Sequence, residues 1–450
     1  MKKQLESKLQ LREYQLNIVS KVLSDSKSKD LIQLPTGGGK TIIAGFLCAE
    51  YLKRNKKILF LAHREELLYQ PKEKFLNDFG IEAGIIKAQL KQDLDLDVQI
   101  ASVQTFHRRL NFCADVIIID EAHHVEAATY QTIINEYPRA KLIGLTATPY
   151  RLSGKGFTQT FNKLITEKTV KQLEQESFLV PARCFNYPLS HDKLARITIT
   201  GGDYNEKEIS DMMNERVIIE DILESYTTHA IGKKMVVFAA SVRNSEAIRD
   251  NFNAHGISAL HVDANSSNRE DIIKEFRYGK TNILCNVGIA TEGFDMSEIQ
   301  VVCMARPTYS LARYLQMCGR ASRPSANKTH YLLLDHTNNF FEHGEPSKQH
   351  DWNAYFNGMS KRELKELSEN KRFSVRKDGK EIEVDNILEL PADIKGFALE
   401  EIASTHSAYF EINDEDISPE LMELIETEAK REGTTKELYL EKKIKSFYGK

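Results

Sequence analysis

Short apolar runs recur along this chain, and the segments between them carry apolar residues at helical spacing. Ile58 to Ala62, Val98 to Ser102, Val116 to Asp120 and Leu142 to Thr146 form one set. Met235 to Ala240, Ala259 to Asp263, Ile283 to Val287, Val301 to Ala305 and Tyr331 to Asp335 form a second. Runs that are apolar at consecutive positions suit strands buried on both faces, as in a parallel sheet covered by helices. The pattern therefore predicts an α/β protein with two tandem parallel-sheet domains, over 1–185 and 233–340. Residues 186–232 are polar, with Gly201-Gly202-Asp203 followed by a helical pattern, and read as a linker or small insertion. After His336 the strand pattern stops. Helical patterns at 352–372 and 411–432 predict a mainly helical accessory region over 341–450.

A length of 450 residues is too great for one core, which agrees with two or three domains. An apolar content of 41% and a charged content of 28% describe a soluble globular chain. No apolar run is long enough to span a membrane, and the N-terminus lacks the apolar stretch of a signal peptide. The chain is expected to stay in the cytoplasm where it is made. The cysteines are Cys48, Cys113, Cys184, Cys285, Cys303 and Cys318; none has C-x-x-C spacing, and neither disulfides nor a zinc site is expected. A net charge of −4 neither supports nor excludes a nucleic-acid partner, but requires any basic footprint to be local. One basic run lies between Lys361 and Lys380. Trp352 precedes it and Phe373 lies within it, suited either to stacking on an unpaired base or, for Trp352, to packing against the second domain.

Two motifs carry the chemistry. Leu34-Pro35-Thr36-Gly37-Gly38-Gly39-Lys40-Thr41 follows an apolar strand and opens a helix, and matches the end of the phosphate-loop signature with Leu34 at the first glycine position. Its glycines let backbone N–H groups crowd a phosphate at a helix N-terminus. Lys40 suits the β- and γ-phosphates of a nucleoside triphosphate, and the Thr41 hydroxyl suits Mg2+. The apolar run Ile117-Ile118-Ile119 delivers Asp120 and Glu121 to its end, followed by Ala122-His123. Asp120 suits Mg2+, and Glu121 suits the base that orients the attacking water. Together the motifs describe a nucleoside triphosphatase.

These motifs and others resemble, in order and spacing, those of superfamily 2 helicases, from about Leu11 to Pro324. Leu11-Arg12-Glu13-Tyr14-Gln15 is similar to the adenine-reading motif, where Arg12 and Gln15 would join the ATP site. Leu61-Ala62-His63-Arg64 and Ala101-Ser102-Val103-Gln104-Thr105 resemble two nucleic-acid contact motifs, implicating His63, Arg64, Thr105 and Arg108. Leu145-Thr146-Ala147-Thr148-Pro149 resembles the coupling motif, in which Thr146 and Thr148 would pair with His123 to sense ATP. His124 matches no motif. Asn286 to Asp295 resembles motif five, with Gly293 and Asp295 at the nucleotide and Thr291 at the nucleic-acid backbone. Gln316-Met317-Cys318-Gly319-Arg320-Ala321-Ser322-Arg323 fits Q-x-x-G-R-x-x-R. Its spacing puts Gln316, Arg320 and Arg323 on nearly one helix face, where they would meet the γ-phosphate from across a cleft.

The resemblance implies two RecA-like domains, ATP with Mg2+ as cofactors, and movement along DNA. Thr146-Ala147-Thr148-Pro149 and the arginine motif look more like DNA translocases of the Asp-Glu-Ala-His type than RNA helicases. Gly202-Asp203-Tyr204-Asn205, Asp335-His336 and His343-Gly344 further resemble the bacterial RadD-like group. The compact length suggests a phage-encoded relative that remodels duplex or branched DNA beside replication or recombination proteins. The alternatives are the motor subunit of a restriction or nuclease complex, an RNA helicase, and an ATP-switched DNA clamp without translocation.

Overall fold

A computed structural model of the chain describes residues 10–63, 68–87, 93–151, 153–187, 189, 194–200, 203–289 and 296–359, and the backbone of 373–377 and 380–384. The first unit is a seven-stranded sheet. Its strands are β1 (Asp30–Gln33), β2 (Ile58–Ala62), β3 (Gly84–Ile86), β4 (Val98–Ser102), β5 (Val116–Ile119), β6 (Lys141–Thr146) and β7 (Lys163–Thr166). They stand in the order β3-β4-β2-β5-β6-β1-β7, and every pairing is parallel. β5 shows why the apolar runs are legible: Val116, Ile117, Ile118 and Ile119 are all buried, alternating between the cores on the two faces of the sheet. At the other end of the strands, the buried Lys141 ammonium meets Asp30 at 2.7 Å and donates to Ser28 and to the Asp25 carbonyl. Removing either partner of such a buried pair costs about 3–5 kcal/mol.

The second unit starts with β8 (Ala182–Asn186). A small antiparallel pair follows, β9 (Ile199–Thr200) with β10 (Asp203–Tyr204). Then come β11 (Met235–Ala239), β12 (Ala259–Val262), β13 (Ile283–Asn286), β14 (Val301–Ala305) and β15 (Tyr331–Asp335). The main sheet has the order β12-β13-β11-β14-β15-β8, again with every pairing parallel.

Here the structure differs from the boundaries suggested by pattern. β8 lies in register with β15, from Ala182 opposite Tyr331 to Asn186 opposite Asp335, so the second sheet begins inside the expected first domain. The helices Glu206–Met213 and Arg216–His229 are no linker. Ile209, Met213, Ile218, Ile222 and Tyr226 pack with Met235, Val237, Cys285 and Cys303 in one core of the second sheet.

After β15 the chain forms the short helices Asn339–His343 and Trp352–Phe356. Trp352 packs against the second core, beside Tyr355 and His350. Tyr355 is in that same core, but its neighbour Phe356 belongs to a core of the first sheet. There the Phe356 ring stacks on Phe157 at 6.4 Å, and its carbonyl accepts the Phe157 N–H at 2.7 Å. Beyond it, β16 (Phe373–Lys377) and β17 (Lys380–Val384) form an antiparallel hairpin that the expected helical run did not foresee. The remaining basic run and the helical pattern at 411–432 lie outside the described residues.

Candidate functional site

In both sheets the functional segments leave the carboxyl ends of the strands, where parallel α/β folds place their sites. The phosphate loop follows β1 and opens the helix Lys40–Lys53. Gly37 and Gly39 have φ of 84° and 94°, in the left-handed region open mainly to glycine. A Cβ on Gly38 would come within 2.7 Å of Leu34 Cγ, so the leucine fills the space behind the loop. The loop is clasped by the segment before it. Tyr14 donates its hydroxyl to the Gly38 carbonyl at 2.7 Å, and Gln15 Nε2 donates to the same carbonyl at 3.3 Å. Gln15 Oε1 accepts the Arg12 N–H at 3.0 Å. The Arg12 guanidinium lies 3.7 Å from the Phe178 ring centroid, a partner that no motif marked.

Lys40 is half-buried, and Nζ reaches the Leu34 carbonyl at 3.4 Å. Burial pushes its ammonium below the ordinary lysine range; the charges of Glu121 and Asp120 oppose this, and those of Arg320 and Arg323 add to it. All five charges therefore share one site. Glu121 has φ 48°, an unusual backbone for a non-glycine residue, and Asp120 Oδ1 accepts its N–H at 3.0 Å. Burial alone would raise the Glu121 carboxyl. The His123 hydrogen bond and the charges of Lys40, His123 and Arg320 outweigh it and hold the group at about 2. An ionised, desolvated carboxylate of this kind can orient and polarise a water.

The structure closes the cleft from the second unit. Gln316, on the helix Leu311–Cys318, donates Nε2 to Glu121 Oε2 at 3.4 Å. A Cβ on Gly319 would meet Thr36, and one on Gly37 would lie 3.5 Å from Arg323 Cγ, so the two motifs are in contact across the cleft. Pro35, Thr36, Thr148, Gly319 and Ser322 line one small cavity there.

His123 Nδ1 is 3.3 Å from both Glu121 Oε2 and Thr146 Oγ1. Thr146 Oγ1 also accepts the Thr148 N–H at 3.1 Å, while the buried Thr148 hydroxyl has no hydrogen-bond partner among the described residues. Tyr150, directly after this motif, packs into a core of the second sheet, edge-on to Tyr355 at 5.0 Å. Arg151 turns back, donating Nε to the His123 carbonyl at 3.2 Å and pairing with Glu126 at 3.0 Å.

For Mg2+ the residues fit. No group of three metal-ligating side chains exists among the described residues, but Mg2+ at nucleotide sites uses one or two protein ligands with phosphate oxygens and water. Thr41 opens the helix beside the loop, and the Glu121 N–H orients the Asp120 carboxylate.

Residues 8–151 match the family model of the type III restriction enzyme res subunit, and 216–325 the helicase conserved C-terminal domain. A 51.5 kDa protein of a Lactococcus phage (isolate 7-9) is 35% identical over 332 residues, 73% of this chain and 70% of that protein. The chain belongs to the superfamily 2 helicases. IRC3 of Saccharomyces cerevisiae, named as an ATP-dependent helicase, is 30% identical over 72% of the helicase, which spans 51% of the yeast protein. In fold, the helicase resembles an HsdR-subunit fragment of a type I restriction enzyme from Vibrio vulnificus, with TM-score 0.59, 19% identity and coverage of 79% of this chain and 68% of that one. It also resembles the type ISP restriction-modification enzyme LlaBIII, with TM-score 0.52, 16% identity and coverage of 72% and 28%. The helicase is accordingly an ATP-hydrolysing enzyme with two RecA-like units.

Among the sequence-marked nucleic-acid contacts, Thr105 is buried in the turn after β4 and Arg108 is exposed beside it. His63 stands at the end of β2, its ring stacked on His124. Arg64, Thr291, Gly293 and Asp295 lie outside the described residues.

Proposed function

We propose that this helicase is a DNA translocase of the Asp-Glu-Ala-His type that remodels branched DNA in recombination, replication or repair. The observation that carries the motor reading is the bridge of Gln316 to Glu121, with Arg320 and Arg323 in the field of Lys40. Groups from both units then meet one triphosphate, so ATP favours the closed cleft and loss of the γ-phosphate releases it. Lys40 and the loop N–H groups hold the β- and γ-phosphates, and Glu121 aims the water. Gln316, Arg320 and Arg323 offset charge that develops on the γ-phosphoryl oxygens. Mg2+, held through Thr41 and Asp120, would supply further neutralisation of those oxygens. Gln15 and Arg12 would serve adenine selection, Gln15 through the amide that now clasps the Gly38 carbonyl.

DNA is the proposed track because Thr146-Ala147-Thr148-Pro149 and Q-x-x-G-R-x-x-R suit DNA motors. One fold relative, LlaBIII, is described as bound to DNA. His63, Arg64, Thr105, Arg108 and Thr291 would grip phosphates, and Gly293 and Asp295 would complete the nucleotide site. The RadD-like resemblance gains a physical role from its residues. Asp203 accepts the Thr308 hydroxyl at 2.9 Å, the Tyr309 N–H at 2.8 Å and Arg313 at 2.6 Å, bracing the start of the arginine helix. The phage relative supports a bacterial cytoplasm, including that of an infected cell, as the setting. The basic run after Lys361 would choose forks and junctions. Restriction-enzyme relatives favour a second reading, the motor subunit of a nuclease complex.

The deciding experiment measures ATP turnover with single strand, duplex, fork, four-way junction and RNA at one salt concentration, together with third-strand displacement from a duplex. The proposal expects the largest stimulation by junctions or forks, and displacement. Equal stimulation by RNA, or turnover without displacement, overturns it.

A further inference from the structure

The turn that carries the catalytic glutamate continues into a pair of histidines, and only the first has a role in the nucleotide site. The second is placed by its backbone: the His124 N–H donates to the Glu121 carbonyl at 3.1 Å, within the turn Ala122–His124. Its ring lies between two others. The His123 ring is 4.1 Å away at 44°, and the His63 ring is 4.2 Å away on a nearly parallel plane, at 13°. His63 is fixed in turn by Tyr130, whose hydroxyl lies 3.4 Å from Nδ1 and whose ring is 6.4 Å away at 10°. Tyr130 itself is fully buried in a core of the first sheet. A continuous file of rings therefore runs from Glu121, through His123 and His124, to the end of β2. There the chain enters the segment His63-Arg64.

We infer that His124 is a positioning residue that couples the nucleotide state to the nucleic-acid grip. This rests on the proposed function, in which His123 senses ATP and the His63 segment contacts DNA. The physical basis is packing. Rings about 4 Å apart are in van der Waals contact and resist compression, so small shifts are passed on rather than absorbed. His123 shares Glu121 Oε2 with Gln316 of the other unit, at 3.3 and 3.4 Å. When the cleft opens and Gln316 withdraws, His123 loses one side of its frame. His124 is the side chain that passes this change to His63. A filler would need only volume at this position; a coupling element needs a flat ring against both neighbours.

Coupling is reciprocal at equilibrium, so it can be read without catalysis. The test measures duplex DNA affinity of the full chain with and without a non-hydrolysable ATP analogue, and analogue affinity with and without DNA. The wild type is expected to show the same ratio in both directions, between about fivefold and about a hundredfold. In His124→Ala each ratio should collapse toward one, while DNA-free analogue affinity and nucleotide-free DNA affinity stay near wild type. His124→Phe, which keeps a flat ring, should restore most of the ratio. The inference is overturned if His124→Ala keeps the wild-type ratio, or if His124→Phe is as uncoupled as His124→Ala. A wild type that shows neither linkage nor DNA-stimulated turnover overturns the proposed function itself, a result distinct from either of these.

Discussion

The carboxyl edges of the two sheets face the same cleft but are built in opposite ways. The first gathers strained and desolvated groups: Glu121 at positive φ, a Lys40 ammonium pushed down by desolvation, and a Thr148 hydroxyl without a partner among the described residues. The second carries a dense polar network around the mount of the arginine helix. Asp335 accepts the N–H groups of Thr337 at 2.9 Å and Phe340 at 2.7 Å. Asn339 accepts the Thr308 N–H at 2.8 Å and donates to the Arg306 carbonyl at 2.9 Å. His343 bonds the Thr308 carbonyl at 2.8 Å. The contrast assigns the labour. Reactive groups need incomplete satisfaction to exchange partners, whereas the arginine helix needs a stiff mount, because charge stabilisation fails when misaimed.

The sharpest break should come on the first edge. Lys40→Ala is expected to abolish hydrolysis and weaken ATP binding. Glu121→Gln should lower kcat by at least about a hundredfold while nucleotide binding persists, as loss of a base predicts. Filter binding beside steady-state turnover separates the two, and near-normal turnover in Glu121→Gln would remove it as the base. Next, Arg320→Ala and Arg323→Ala should each lower kcat by roughly a thousandfold with ATP binding to the first unit spared.

Cutting the mount instead should act through stability. Burial pushes the Asp335 carboxyl up against the Thr337 and Phe340 hydrogen bonds that pull it down. Asp335→Ala leaves those donors unpaired and should cost about 2–4 kcal/mol in denaturant unfolding. Its effect on kcat should be much smaller than that of the arginines. A thousandfold loss of kcat in a folded Asp335→Ala would erase the division of labour.

The smallest effect concerns pH at the seam. Glu174, at the end of the first unit, is raised to about 7 by burial and by Glu345 after the second. A carboxyl raised in the folded state contributes stability that is complete below its unfolded value and is lost as pH rises through the folded one. The melting temperature should thus fall as pH rises from about 4.5 to about 7 and level off above, and Glu174→Gln should flatten that dependence. An unchanged slope in Glu174→Gln would sink this assignment.

The legibility of the chain follows the same division. Strands buried on both faces announce themselves, as Ile117-Ile118-Ile119 does. β8 does not, because Ala182-Arg183-Cys184-Phe185-Asn186 is a half-exposed edge strand. The helices between Glu206 and His229 show an apolar face, but nothing in their period says which sheet it covers. The phosphate loop and the arginine motif were readable because their chemistry is local in sequence. Phe178 over Arg12, Tyr355 against Tyr150 and the ring file through His124 were not. Each depends on a contact between segments that no spacing encodes.

The chain passes between the two sheets more than once. It crosses from the first to the second before β8, and it comes back when Phe356 enters the first core, one residue after Tyr355 has anchored in the second. Two attachments leave a pair of bodies with one easy motion, rotation about the line that joins them, as with a gate hung on two pins. Sliding and outright separation are then resisted by covalent chain as well as by packing.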